Sequence, residues 1–204
     1  MSKSKAREIE KKSMEIISRK VNLEKFDSEE SQVVKRIIQT TGDLEIHNDI
    51  RFSQSAIKDG IGALKRGVDI FTDVQMVAAG LNKDRLGSLG SAVRCKISDP
   101  EVVKQAESLG ETRAETAMNY FGDELDKAIV AIGNAPTALF KLLYLKEKHQ
   151  IAPALVVGVP VGFVDAKESK DRLIRSDLSF ITVTGYKGGS PVAASIINAL
   201  LRML

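Results

Sequence analysis

The chain has 204 residues, 43% of them hydrophobic and 28% charged, with a formal net charge of +3. That length suits a single domain over residues 1–204 with a sizeable core, rather than two smaller units. One cysteine, Cys95, excludes an intrachain disulfide and fits a reducing compartment, and its apolar neighbours predict burial.

The charge is unevenly spread. Residues 1–25 hold eight Lys/Arg against four Glu, which leaves −1 for the remainder. A nucleic-acid binder would carry a wider basic stripe with aromatics between the charges, and this chain has no Trp, three Tyr and seven Phe. The basic start therefore reads as a solvated helix, with residues 1–12 a frayed end. No apolar block follows those charges, so no signal peptide is expected. The longest apolar run, 151–164, is 14 residues interrupted by two prolines and two glycines, too short and broken to span a bilayer. A cytoplasmic protein with neither nucleic-acid nor membrane partners is expected.

In chain order, helices are expected over 5–20 and 28–41. The second would be capped by Ser28, present Val33, Val34, Ile37 and Ile38 on one face, and end at Gly42. Ser53 is the expected cap of a third helix, which runs through Ala56, Ile57, Ile61 and Leu64 to about Gly67. Short apolar runs then alternate with helical ones, at 68–71, 92–97, 128–132, 154–157 and 180–183. Several lack polar alternation, as parallel strands covered on both faces do. Strand–helix–strand order at this spacing predicts an α/β fold with a doubly wound parallel sheet.

The turns after those strands carry the functional signal. Asp99-Pro100, Thr112 with Glu115, Asn134 before Pro136, Asp165 with Glu168, and Ser190-Pro191 each read as a helix start. Helix N-termini on the carboxyl rim of a sheet offer backbone N–H groups and partial positive charge to anions. Arg113, Lys170 and Lys187 lie close to them in sequence, and Gly188-Gly189 permits close backbone approach. The same residues also serve ordinary turn chemistry, so they point to an anionic small molecule without identifying it. Walker, GxGxxG and G-x-S-x-G motifs are absent. His47 and His149 have no partners at metal-ligand spacing, so no metal site is expected.

Taken together, these stretches resemble the precorrin-8X methylmutases, or cobalt-precorrin-8 methylmutases, of cobalamin biosynthesis. The resemblance is carried by Ser13–Ile17, Thr40-Thr41-Gly42-Asp43, Thr72–Val77, Thr112-Arg113-Ala114, Gly133–Leu139, Pro160–Val164 with Glu168-Ser169-Lys170, and Lys187–Pro191. It implies a three-layer, flavodoxin-like α/β/α fold with extra N-terminal helices, a homodimer, and an isomerase that moves a methyl group from C11 to C12 of a contracted tetrapyrrole without a cofactor. It also implies that Gln39 stands where the family has its catalytic histidine, with His47 the possible substitute. Tyr186 stands where many members have Arg. The same resemblance places Thr41 and Asp43 on the reacting face with Gln39. Arg113 and Lys170 become carboxylate clamps, Lys187 belongs to the last glycine turn, and Thr112, Asn134, Ser190, Gly188 and Gly189 are neutral donors. Glu168 either touches ligand or orients Lys170. Two alternatives stand beside the isomerase: a relative that binds the corrinoid as carrier or regulator, and a nucleotide-binding oxidoreductase of similar fold, which the missing phosphate motifs disfavour.

Overall fold

A computed structural model describes residues 3–204. Helix α1 (Lys3–Lys20) is continuous, so residues 3–12 of the expected fray are helical, and the first two residues lie outside the described ones. Helix α2 (Ser28–Thr41) buries Val33, Val34, Ile37 and Ile38 and stops at Gly42, whose φ of 68° is the left-handed cap the sequence predicts. Its N-cap is Asp27 rather than Ser28. Asp27 accepts from the backbone of Glu29 and Glu30, and Glu30 returns the bond, a complete capping box.

Five parallel strands follow: β2 (Ile70–Thr72), β3 (Val93–Arg94), β4 (Ile129–Ile132), β5 (Leu155–Gly158) and β6 (Phe180–Val183). A short strand that the sequence reading misses, β1 (Ile50–Phe52), pairs antiparallel with β6 and closes that edge. Expected strand 92–97 shrinks to two residues. Asp69 bounds it at its start, taking the Ala92 N–H at 2.8 Å, and also holds the Arg94 side chain at 2.9 Å. Cys95, just beyond, is half-buried rather than buried.

The sheet order is β1-β6-β5-β4-β2-β3, and the five parallel strands alone give the flavodoxin-like order. Both faces are covered. Helices α2, α3 (Ala56–Lys65), α4 (Gln75–Gly80) and α10 (Ser190–Arg202) share one core with Ile129, Ala131, Leu155 and Val157. Helices α7 (Arg113–Phe121), α8 (Pro136–His149) and α9 (Ala166–Ile174) share the other with Val130, Ile132 and Val156. Successive strand residues thus point into different apolar layers, which is why β4 to β6 carry no polar alternation. Between them, α5 (Lys83–Ser88) and α6 (Pro100–Leu109) complete the helices.

Candidate active site

In a doubly wound sheet the ligand normally sits where strand order reverses, at the carboxyl ends of the strands. Here that point lies between β2 and β4, and the chain fills it with its own carboxylate. Asp73, the residue after β2, is fully buried and accepts the N–H groups of Gly133 (3.1 Å), Asn134 (2.8 Å) and Ala135 (2.7 Å). Burial pushes the Asp73 carboxyl above its usual range, against the pull of the bonds from Ala135, Gly133 and Asn134. The three amides that lead into α8 are therefore already taken, and not by Asn134, whose side chain is exposed. Gly133 is also pressed against the start of α10, since a Cβ there would lie 2.7 Å from Ser190 Cα.

Two further caps differ from expectation for local reasons. Asp165 has a left-handed φ of 62° and makes no side-chain cap, while Glu168 is exposed. Ser190 is the first residue of α10 rather than its cap. Gly189 takes the cap position with φ 116°, and Ser190 is buried. By contrast Asp99 and Thr112 cap as predicted, accepting Glu101 N–H and Glu115 N–H. Ser53 caps nothing, because its hydroxyl accepts the Phe180 N–H and so ties the β1 end to β6.

With the switch point closed, the available chemistry moves along the rim to the turn between β6 and α10. Gly188 has φ 149°, and a Cβ there would lie 2.2 Å from the Val159 carbonyl, so only glycine fits. Gly189 N–H donates to that same carbonyl at 2.8 Å and is not free for a ligand. The Lys187 ammonium pairs with Asp43 at 2.6 Å, joining residues 144 apart. That bond raises the lysine above its ordinary range and lowers the aspartate below its own. Thr41 stands at the neck of the same loop, accepting Asp43 N–H and donating to Ile37 O. Lys170 is no exposed clamp. It is fully buried, and its Nζ donates to the Lys187 carbonyl at 2.7 Å.

Apolar groups stand over this turn. Phe163 is 86% exposed, Val164 78% and Tyr186 49%, and the Phe163 and Tyr186 rings lie 5.3 Å apart. On the far side of the rim, exposed Arg113 opens α7 beside Thr112, whose hydroxyl meets that of Thr137 at 2.6 Å.

Gln39 is exposed on α2, away from the helix's buried face. Arg36 Nη1 donates to its Oε1 at 2.9 Å, and a guanidinium can only donate, so Gln39 presents its NH₂ end. Arg36 is held in turn by Glu10 of α1, which also binds Arg202 at 2.9 Å. Burial opposes ionisation of Glu10, but the two arginines outweigh it and keep its carboxyl below the usual range. His47 has different neighbours. Its Nδ1 lies 2.7 Å from Leu44 O, and it lines a shallow depression with Asn22, Glu24, Lys25 and Asn48. Sequence reading gives no role to Asp73, Arg36 or Glu10, although Asp73 falls within one of the stretches that carry the resemblance. Arg36 lies one turn before Gln39 on α2, and the tertiary fold adds Glu10 from α1.

The fold and rim define a doubly wound α/β protein that carries, beside its filled switch point, a lysine-bearing glycine turn with exposed aromatic side chains next to it. The profile of the Precorrin-8X methylmutase family matches residues 8–203, and the chain belongs to that family. It is 43% identical to a cobalt-precorrin-8 methylmutase of Leptospira interrogans, over 96% of this chain and 92% of that protein. A Priestia megaterium protein of the same name is 41% identical over 95% of this chain and 86% of its own length. Among solved structures, the precorrin-8x methyl mutase of Thermus thermophilus superposes with a TM-score of 0.90 at 39% identity, covering 97% of this chain and 95% of that one.

Proposed function

We propose that this protein is the isomerase that moves a methyl group from C11 to C12 of precorrin-8 or its cobalt form, giving hydrogenobyrinate or cobyrinate in vitamin B12 biosynthesis. The observation that carries this reading is the family match over residues 8–203, which takes in every rim turn described above. The shift is internal: one C–C bond breaks, another forms, and no group leaves. The protein's work is therefore to hold the ring in one orientation and one tautomer.

Each part of the rim has a role in this. Lys187 and Arg113 meet peripheral carboxylates of the ring from its two sides. The exposed Phe163–Tyr186 pair offers an apolar surface of the right character for a flat macrocycle face. Gln39, fixed by Arg36, donates a hydrogen bond from Nε2 to a ring atom. Thr41 and Asp43 frame that same edge. A homodimer acting in the cytoplasm completes the proposal, and no helix among the described residues is long and apolar enough to cross a membrane. One observation favours a second reading, a corrinoid carrier or regulator: an amide at position 39 cannot deliver a proton near neutral pH.

Purified protein mixed with hydrogenobyrinate, or with its cobalt counterpart, is expected to retain the chromophore through gel filtration with a shifted visible spectrum. Loss of all colour would remove both readings. Turnover of the natural ring intermediate then separates isomerase from carrier. Phe163→Ala is expected to raise KM about five- to twentyfold, the loss of about 1–2 kcal/mol of apolar contact, with kcat within about twofold. An unchanged KM would remove Phe163 from the site.

A further inference from the structure

We propose that Lys170 is a positioning residue whose buried ammonium holds the Lys187–Gly189 turn in its ligand-ready shape and supplies, from beneath it, positive charge for a carboxylate bound above. This rests on the rim being the corrinoid site.

Lysine is rarely fully buried unless it is paired. Lys170 is 0% exposed and among the largest wholly buried side chains of the protein, yet its hydrogen-bond acceptor is a neutral carbonyl. The surrounding charges do not neutralise it directly. On α9, Asp171 is taken by Lys167 at 2.6 Å. Ahead of β1, Asp49 acts only through space. From the turn, Lys187 is already paired with Asp43. A lysine kept only for packing would be served better by an apolar chain of the same length, because an incompletely paired buried charge costs stability.

The turn it supports is fixed from three other directions. Gly189 N–H binds Val159 O at 2.8 Å, Gly162 N–H binds Tyr186 O at 3.2 Å, and Lys187 Nζ binds Asp43. Gly188 has no room to relax toward β5. Lys170 anchors the fourth side, at the carbonyl immediately before the two glycines. An anion seated on the turn would supply the missing countercharge across a single peptide unit, with protein and not water between it and the buried ammonium.

Burial lowers Lys170 to about 8, with Asp171 and Asp49 opposing the shift. An anion on the turn favours the charged form and raises that value. The extra affinity is therefore fully present below about pH 8 and is lost as pH rises through the free protein's value toward the bound one.

The test titrates wild type, Lys170→Met and Lys170→Arg with hydrogenobyrinate, following the visible spectrum at pH 7 and pH 9.5, with KM and kcat measured alongside. Wild type is expected to bind about tenfold more weakly at pH 9.5. The methionine variant should bind about tenfold more weakly at pH 7, with no further loss at pH 9.5 and a change confined to KM. The arginine variant should bind well at both pH values. Equal affinity of wild type at both pH values, or the wild-type pH slope surviving in Lys170→Met, overturns the proposal. Should Lys170→Met fail to fold, the wild-type slope and the arginine variant still decide. Failure of the wild type to bind at pH 7 would instead remove the corrinoid reading itself.

Discussion

Gln39→His is expected to raise the methyl-shift rate by about tenfold to a hundredfold, with the gain growing as pH falls below about 6.5. General acid–base catalysis contributes roughly 10²–10⁴-fold where a proton must move, and an amide offers none of it. The full range is not expected because of Arg36. Its guanidinium donates to whatever occupies position 39, which favours an imidazole nitrogen with a free lone pair and disfavours the imidazolium. Glu10 softens this by pairing with Arg36. The introduced histidine would then titrate somewhat below the ordinary value of about 6.5, and its acid form would be populated only on the acidic side. Rates of both proteins between pH 5.5 and 8 are the measurement. A histidine variant no faster than wild type at any pH, with product affinity intact, would mean that the proton is managed elsewhere or that orientation alone suffices.

The limits of sequence reading are visible in particular residues. Strand β6 coincides with its expected bounds, and β4 and β5 lie within one residue of theirs, because apolar β-branched runs covered on both faces are self-evident. Strand β1 escapes notice because three residues with an exposed Arg51 in the middle carry too little pattern. Cap assignment succeeds at Asp99 and Thr112, where the acceptor is local, and misses by one residue at Asp27, where Ser28 offers a second local candidate. It fails at Asn134 because the acceptor comes from 62 residues away, through the β2–β4 pairing.

The site divides the same way. Glycine is legible at 188 and 189, but the joining of Asp43 to Lys187 depends on α2 ending beside the last turn, which no spacing encodes. The burial of Lys170, in contrast, could be read in advance. Ala166, Ser169, Lys170 and Leu173 fall at i, i+3, i+4 and i+7, the pattern of a helix face turned inward, and all four are buried. A lysine within such a stripe signals an internal charge, whereas the reading of it as a clamp treats it as a surface cation.

The largest stability effect is expected at Asp73. Its two carboxylate oxygens satisfy three amides at the start of α8, Oδ1 taking Gly133 and Oδ2 taking Asn134 and Ala135, in a position with no solvent. Asp73→Ala leaves those donors unpaired, removes the negative charge from the helix N-terminus and opens a gap between β2 and β4. A buried donor without a partner costs about 1–3 kcal/mol, so the total should reach about 3–5 kcal/mol, or roughly 10 °C in Tm for a domain of this size. Asp73→Asn keeps one acceptor oxygen but turns an NH₂ toward the donors, and should lose at least half as much. Thermal and urea unfolding of the three proteins gives the comparison. Formate offers a second readout: a small carboxylate able to enter the vacated position should recover part of the Tm of Asp73→Ala while leaving wild type unchanged. A loss below about 1 kcal/mol would mean that these amides find other partners and that the switch point is open to ligand after all. The macrocycle would then be expected between β2 and β4, not beside β6.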